Sequence, residues 1–267
     1  MTAVPSGFDV DRAGPRPRGV GAVNPVAKLA ASLLLAIALA LSVDPVSAGV
    51  ALLLELVLLP WAGLGWRDFW RRTAAVWITA PLAGLTVALY GRASGRVYVD
   101  FLLVHVTDGS LQLAGITALR VLAIALPAVV LFATVDATDL ADGLAQLVHL
   151  PARFVLGALA AIRMVALLRD DWRSLEFARR ARGVADRGRL RRVPGVAFAL
   201  FVLSIRRGSA LATAMEARGF GGETPRTWAR VSRFGARELV LILVAAWVAA
   251  IAVGASLATG QWVLLGR

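Results

Sequence analysis

Few residues in this chain can do chemistry, and the arginines are the ones arranged for it. The 267 residues include no cysteine and two histidines. Disulfides, thiolate metal sites and a cysteine nucleophile are therefore excluded. No Gly-x-x-x-x-Gly-Lys-Ser/Thr run is present, so the chain carries no phosphate-cradling loop of that type. Asp170, Asp171 and Glu176 lie among arginines and read as a solvated helix face, not as an acid–base set. No catalytic residue, metal site or cofactor is expected, and the chain does not read as an enzyme. What stands out is a short phrase that occurs twice. Residues 178–184 read Ala-Arg-Arg-Ala-Arg-Gly-Val, and residues 214–220 read Ala-Met-Glu-Ala-Arg-Gly-Phe. Arginine offers a planar five-donor fork that is always charged, suited to carboxylates or carbonyls in a partner's groove. One such helix end has a plain explanation, since basic residues favour helix C-termini and glycine stops helices. Two in matched settings, Ala181-Arg182-Gly183 and Ala217-Arg218-Gly219, point to a device that grips two similar partners.

The elements that must position these arginines are membrane elements. The chain is 58% hydrophobic, with mean hydropathy +0.72, well above the ordinary globular apolar share. A spanning helix takes about 20 mostly apolar residues. Five stretches approach that length: residues 29–43, 46–61, 73–90, 111–134 and 239–257. The first two are short and need their flanks to complete them. A second apolar run follows the first at once, so the first reads as a retained span and not as a cleaved signal.

Charge fixes the orientation. Of 29 Lys and Arg residues, 18 fall between Val135 and Arg237. The N-terminal tail carries Arg12, Arg16, Arg18 and Lys28, and the second connection carries Arg67, Arg71 and Arg72. The outer connections are poorer in positive charge, so the positive-inside rule places the N-terminus in the cytoplasm and the C-terminus outside. His105 and His149 then lie on opposite sides of the plasma membrane and cannot share a site. The expected organisation is a disordered basic tail over residues 1–24, four spans over 25–134, a basic helical insert over 135–234, and a last span with a short outer tail over 235–267. The fold class is an all-α integral membrane protein, with about five transmembrane helices and a cytoplasmic helical domain.

Within the insert, the pattern predicts a helix over residues 136–150. A second helix starts at Pro151 and runs about 30 residues to Arg182, roughly 45 Å at 1.5 Å per residue. A third starts at Pro194 and runs to Arg218. Both long helices begin apolar, end polar and basic, and finish in Ala-Arg-Gly. Their apolar halves suit a membrane interface and their basic ends the cytoplasm.

Four passages carry a family resemblance: Asn24-Pro25-Val26-Ala27-Lys28-Leu29; Leu150-Pro151-Ala152-Arg153; residues 178–183; and residues 214–220. In these, and in their order, the chain resembles the EcfT family, the transmembrane coupling subunits of energy-coupling factor transporters, known in the cobalt-type branch as CbiQ. The resemblance implies that the two arginine motifs end two crossed coupling helices. Each docks into a groove on one of two cytoplasmic ABC-type ATPase subunits. A separate membrane capture subunit selects the substrate, so vitamins, vitamin precursors and metal ions all fit. Similar proteins often carry a proline after a mid-helix arginine. Here Arg163 is followed by Met164-Val165-Ala166, which predicts a straighter second coupling helix.

Two ionisable residues lie inside expected spans, Glu55 and Arg120. Such groups cost a few kcal/mol or more and usually find partners. Their similar distances from the outer face suggest a buried ion pair, with a role in substrate passage as the alternative. Small residues at spacing four, Ser32/Ala36/Ala40 and Ala246/Ala250/Gly254, suit close helix packing in lipid. A competing function is a basic membrane-surface scaffold that binds anionic lipid without transport. It explains the net charge of +12 but not the duplicated helix ends. Besides the two ATPases, the capture subunit and the lipid bilayer, no nucleic acid is expected as a partner. The topology makes a direct prediction. Cysteines introduced at Gly95 and Gly266 should react with an impermeant thiol reagent applied to intact cells, and cysteines at Gly14, Arg67 and Gly188 should be protected. Labelling at position 188 from outside would place both arginine motifs on the wrong side.

Overall fold

A computed structural model describes residues 19–42, 44–63, 65–91, 94–101, 104–183, 189–222, 227–228 and 230–261. The expected tail up to residue 18, Arg187 and Gly188 of the connection, and the outer tail from residue 262 lie outside them. The described residues form eight α-helices and one two-stranded hairpin. Four stretches are long and apolar enough to cross a membrane by length and composition: Trp66–Tyr90, Asp108–Phe132, Val193–Ala217 and Ala236–Ala258. The chain divides into two compact units, residues 1–136 with 233–267, and residues 137–232.

The first unit holds three of these four stretches and two shorter apolar helices. Helix α1 (Pro25–Ala40) and α2 (Pro45–Leu58) are apolar but short, with 16 and 14 residues. At 1.5 Å per residue they reach about 24 and 21 Å, less than a hydrocarbon core of about 30 Å. Proline at the first position and an Asn or Asp cap start each cleanly. A 3-10 turn, Leu59–Ala62, extends α2. Helix α3 (Trp66–Tyr90) begins seven residues before its expected span, taking the basic run Arg67, Arg71 and Arg72 into its first turns. A hairpin that hydropathy did not reveal, β1 (Val97–Phe101) against β2 (Val104–Thr107), leads into α4 (Asp108–Phe132). Helix α8 (Ala236–Ala258) closes the unit.

The core of this unit joins α1, α2, α4 and α8 through Ala31, Leu35, Leu39, Ala51, Ala123, Ala245, Val248, Ala249 and Ala252. The packing face of α8 therefore differs from the expected stripe. Ala250 and Gly254 are exposed, while the adjacent Ala245, Ala249 and Ala252 are buried. In α1, Ser32 is buried but Ala40 is exposed.

Polar side chains tie the helix ends together. Asn24 caps α1 by accepting from the Val26 N–H, and its own amide donates to the Arg233 carbonyl at 3.0 Å. Its backbone N–H donates to Glu238 at 3.1 Å, and the same carboxylate accepts from the Gly235 N–H at the start of α8. Lys28 is 1% exposed and donates to Thr134 Oγ1 at 2.8 Å, joining α1 to the end of α4. Arg72 donates to the Ala133 carbonyl, bringing α3 to the same place. Between α1 and α2, Asp44 is buried with Ser42 and Ser47. Burial pushes its carboxyl pKa up, but hydrogen bonds from Ser42 and from the Ser47 N–H and hydroxyl outweigh it and hold the group below the usual carboxylate range.

Helices α3 and α4 pack along one another, and Gly84 sets how closely. A Cβ there would sit 2.9 Å from the Ala114 carbonyl oxygen and 3.1 Å from the Ala118 Cβ. Gly115, on α4, faces open space. Gly84→Ala should destabilise the first unit by about 1–3 kcal/mol through overpacking. Gly115→Ala should be neutral or stabilising by about 0.5–1 kcal/mol, since alanine favours helix interiors over glycine. Thermal unfolding in detergent compares the two, and equal shifts would show that α3 and α4 do not meet at Gly84.

Candidate functional site

The second unit is built on three helices. Helix α5 (Ala137–Gln146) is shorter than the expected 136–150 segment, because the chain turns at His149, whose φ is 58°. It packs Ala141 and Ala145 against Val155 and Leu159 of α6 (Ala152–Ala181), with Trp228 beside them. Gln146 clamps the returning chain, donating to the Arg230 carbonyl at 2.8 Å and accepting from the Ser232 N–H at 2.9 Å. Helix α6 runs 30 residues, from Ala152 to Ala181. Arg163 reaches back to Thr138 on α5 at 3.3 Å.

Helix α7 (Arg189–Ala217) starts five residues before Pro194, which becomes an internal residue of its second turn. The ring removes the N–H that would bond to residue 190, a loss the start of a helix tolerates better than its middle. A polar contact joins α6 and α7. Arg207 Nη2 donates to Asp171 Oδ1 at 2.9 Å, and Arg207 Nη1 lies 2.6 Å from Asp171 Oδ2. Asp171 is thus no solvated residue; its side chain is 17% exposed. Asp170 and Glu176 do face solvent, in exposed pairs with Arg173 and Arg180 on their own helix.

The two arginine motifs end their helices in the same way. Ala181 is the last residue of α6, Arg182 is its cap, and Gly183 turns left-handed at φ 68°. The Gly183 N–H bonds to the Arg180 carbonyl at 3.0 Å. Ala217 is the last residue of α7, Arg218 follows, and Gly219 has φ 75°. Its N–H bonds to the Glu216 carbonyl at 2.9 Å, and the Phe220 N–H bonds to the Met215 carbonyl at 2.9 Å. These are the paired bonds of a glycine-ended helix. Any other residue at either glycine would meet the left-handed penalty of about 1–2 kcal/mol. Arg182 and Arg218 are both exposed, and among the described residues a Cβ at Gly183 or Gly219 would meet nothing within 4 Å. Each motif is therefore an open tip.

The sides of these helices are open as well. Phe198, Phe201 and Ile205 of α7 are 69%, 60% and 54% exposed, and Phe154, Ile162 and Val165 of α6 are exposed too. Large exposed apolar patches mark interaction or membrane surfaces.

In the first unit, among the described residues, no hydrogen bond joins Glu55 to Arg120, the pair expected from the sequence. Both Glu55 carboxylate oxygens and the Nε and Nη2 of Arg120 are buried without a hydrogen-bond partner among the described residues. Glu55 lines an apolar cavity of about 780 Å³ whose α4 wall is Leu126, Pro127, Val130 and Leu131. These lie six or more residues inward of Arg120, about 9 Å or more along the helix. Counting residues from the outer end places the two groups at one depth only if α2 and α4 start level, whereas Gly49, four residues into α2, lies beside Leu119, eleven residues into α4.

A family model described as cobalt transport protein, CbiQ, matches residues 20–228. The energy-coupling factor transporter transmembrane protein EcfT of Limosilactobacillus fermentum is 30% identical over 188 residues, covering 63% of this chain and 70% of that protein. The proteins of the same name from Listeria innocua and Bacillus selenitireducens are 28% and 30% identical over 61% and 58% of this chain. The chain spans 66% and 63% of their lengths, just under two thirds.

The separation of Glu55 and Arg120 is testable by a double-mutant cycle on folded yield and unfolding temperature. The effects of Glu55→Gln and Arg120→Gln should add within about 0.5 kcal/mol, as for independent sites. Recovery in the double variant would show that the two side chains meet.

Proposed function

The chain belongs to the CbiQ family, described as cobalt transport proteins, and within it we propose that α6 and α7 are the coupling helices of an energy-coupling factor importer. As a family member the chain is a multi-pass transmembrane transport component and not an enzyme. Arg182 and Arg218, with the alanine before and the glycine after each, are the docking tips for two cytoplasmic ABC-type ATPase subunits. The observation that carries this reading is the likeness of the two helix ends: the same last residue, the same arginine after it, the same left-handed glycine, and two exposed guanidinium groups with open space around the glycines beside them. A single lipid-binding surface has no need of two matched ends.

The exposed apolar flanks of α6 and α7 support the second half of the reading. They fit a membrane substrate-capture subunit, which delivers a vitamin, vitamin precursor or metal ion. ATP-driven closure of the ATPases moves the two tips, and the helices pass that motion to the capture subunit. Such a shift requires unequal affinity for two states, which nucleotide bound by the ATPases supplies. On this reading Val193–Ala217 lies at the cytoplasmic side, and its span-like length serves the interface; Arg206 and Arg207 at its centre are costly in hydrocarbon. The N-terminus is then cytoplasmic and the C-terminus outside, with residues 135–234 as the coupling domain.

Arg182→Ala and Arg218→Ala should each weaken ATPase retention and ATP-driven uptake, and the double change should do so more. Loss of a buried charged anchor at an interface costs about 2–5 kcal/mol. Arg189→Ala and Arg191→Ala should do far less. Co-purification from membranes and uptake in proteoliposomes measure both. Equal losses at all four positions would show that charge number, not placement, matters, and would favour the lipid-surface scaffold.

A further inference from the structure

The contact between α6 and α7 has a property that neither helix shows alone. The two arginine motifs are offset by 36 residues, Arg182 to Arg218. Asp171 and Arg207, the residues joined across the pair, are also 36 apart. Asp171 precedes its motif arginine by eleven residues, and Arg207 precedes its own by eleven. Aligned on this offset, Leu175 matches Leu211, Ala178 matches Ala214 and Ala181 matches Ala217. The helices run in opposite senses past this point. A Cβ at Gly195, twelve residues before Arg207, would lie 3.2 Å from the guanidinium of Arg179, eight residues after Asp171. When two equivalent helices pack in opposite senses about a two-fold axis, only positions near the axis meet their own equivalents. In a strict duplicate that meeting would set like charges against each other. Here one copy is acidic and the other basic, so the position that would repel becomes the one that binds.

We infer that the Asp171–Arg207 pair lies on a local two-fold axis of the α6/α7 pair and acts as its pivot, holding both arginine tips at equal reach for a partner that is itself two-fold. Eleven residues of helix put each tip about 16 Å from the pivot. Asp171 and Arg207 are positioning residues: they touch no partner, and they act through Arg182 and Arg218. The inference rests on the coupling reading for its function but not for its geometry.

The test uses the full chain in nanodiscs, with and without its co-expressed ATPases. Because the chain has no cysteine, spin labels can be placed at the equivalent exposed positions Phe177 and Thr213 alone. The unaltered pair should give one narrow distance distribution. Asp171→Asn and Arg207→Gln should each broaden it and lower ATPase retention about tenfold, the scale of a strongly coupled contact. The reversed pair, Asp171→Arg with Arg207→Asp, should restore both the distribution and retention. Adding Asp171→Asn to Arg182→Ala or to Arg218→Ala should give equal further losses, because a pivot serves both tips alike. An unchanged distribution in the single variants, or a reversed pair no better than the singles, would overturn the pivot. Unequal losses in the two combinations would overturn its place on the axis. If the unaltered chain retains no ATPase, the coupling reading fails while the distance distributions still decide the pivot's geometry.

Discussion

One charged contact, Asp171 with Arg207, holds two long helices that otherwise bury little of each other. Among the described residues of α7 only Val196 is buried, and in α6 only Val155 and Leu159. Hydrophobic packing therefore does little to fix how α6 and α7 meet. Their apolar sides stay free for other molecules, and the ion pair sets the geometry in their place. A partly buried pair suits this role, because a charge-assisted hydrogen bond, Arg207 Nη2 to Asp171 Oδ1, fixes direction as well as distance. The glycines complete it. Gly183 and Gly219 end the helices at a set residue, so each arginine emerges at a set height and heading.

The membrane unit answers a different constraint. In hydrocarbon every backbone polar group must be satisfied within the chain, which leaves helices as the building material. Their ends still need partners, and here they find them in one another. Asn24, Glu238, Lys28, Thr134 and Arg72 bring the start of α1, the end of α4 and the starts of α3 and α8 to one polar cluster. The Asn-Pro-Val-Ala-Lys passage before the first span is thus a structural fastening. Its sequence is local, but its partners lie more than a hundred residues away.

Much of this organisation is legible in the sequence, for physical reasons. Spans are visible because the bilayer imposes length and apolarity together. The arginine tips are visible because Ala-Arg-Gly is a local stop signal, written twice. What is hidden depends on tertiary phase or on pairing. An alanine-rich helix such as α8 offers a small-residue stripe at almost any phase, so composition cannot tell Ala249 from Ala250 as the packing residue. Asp171 looks like its neighbour Asp170 until α7 is laid across it; the repeat offset of 36 is the signal that could have singled it out. Glu55 and Arg120 match in depth only if α2 and α4 start level. The hairpin before α4 is mostly apolar but too short to register against the long apolar runs around it.

The central claim is that each matched helix end holds one partner. Native mass spectrometry of the intact assembly, extracted gently from membranes, tests it most directly. The prediction is one copy of this chain with two nucleotide-binding subunits, falling to one when either Arg182 or Arg218 is replaced by alanine and to none when both are. A chain that emerges with lipid alone, or that keeps both subunits in the double variant, would contradict it.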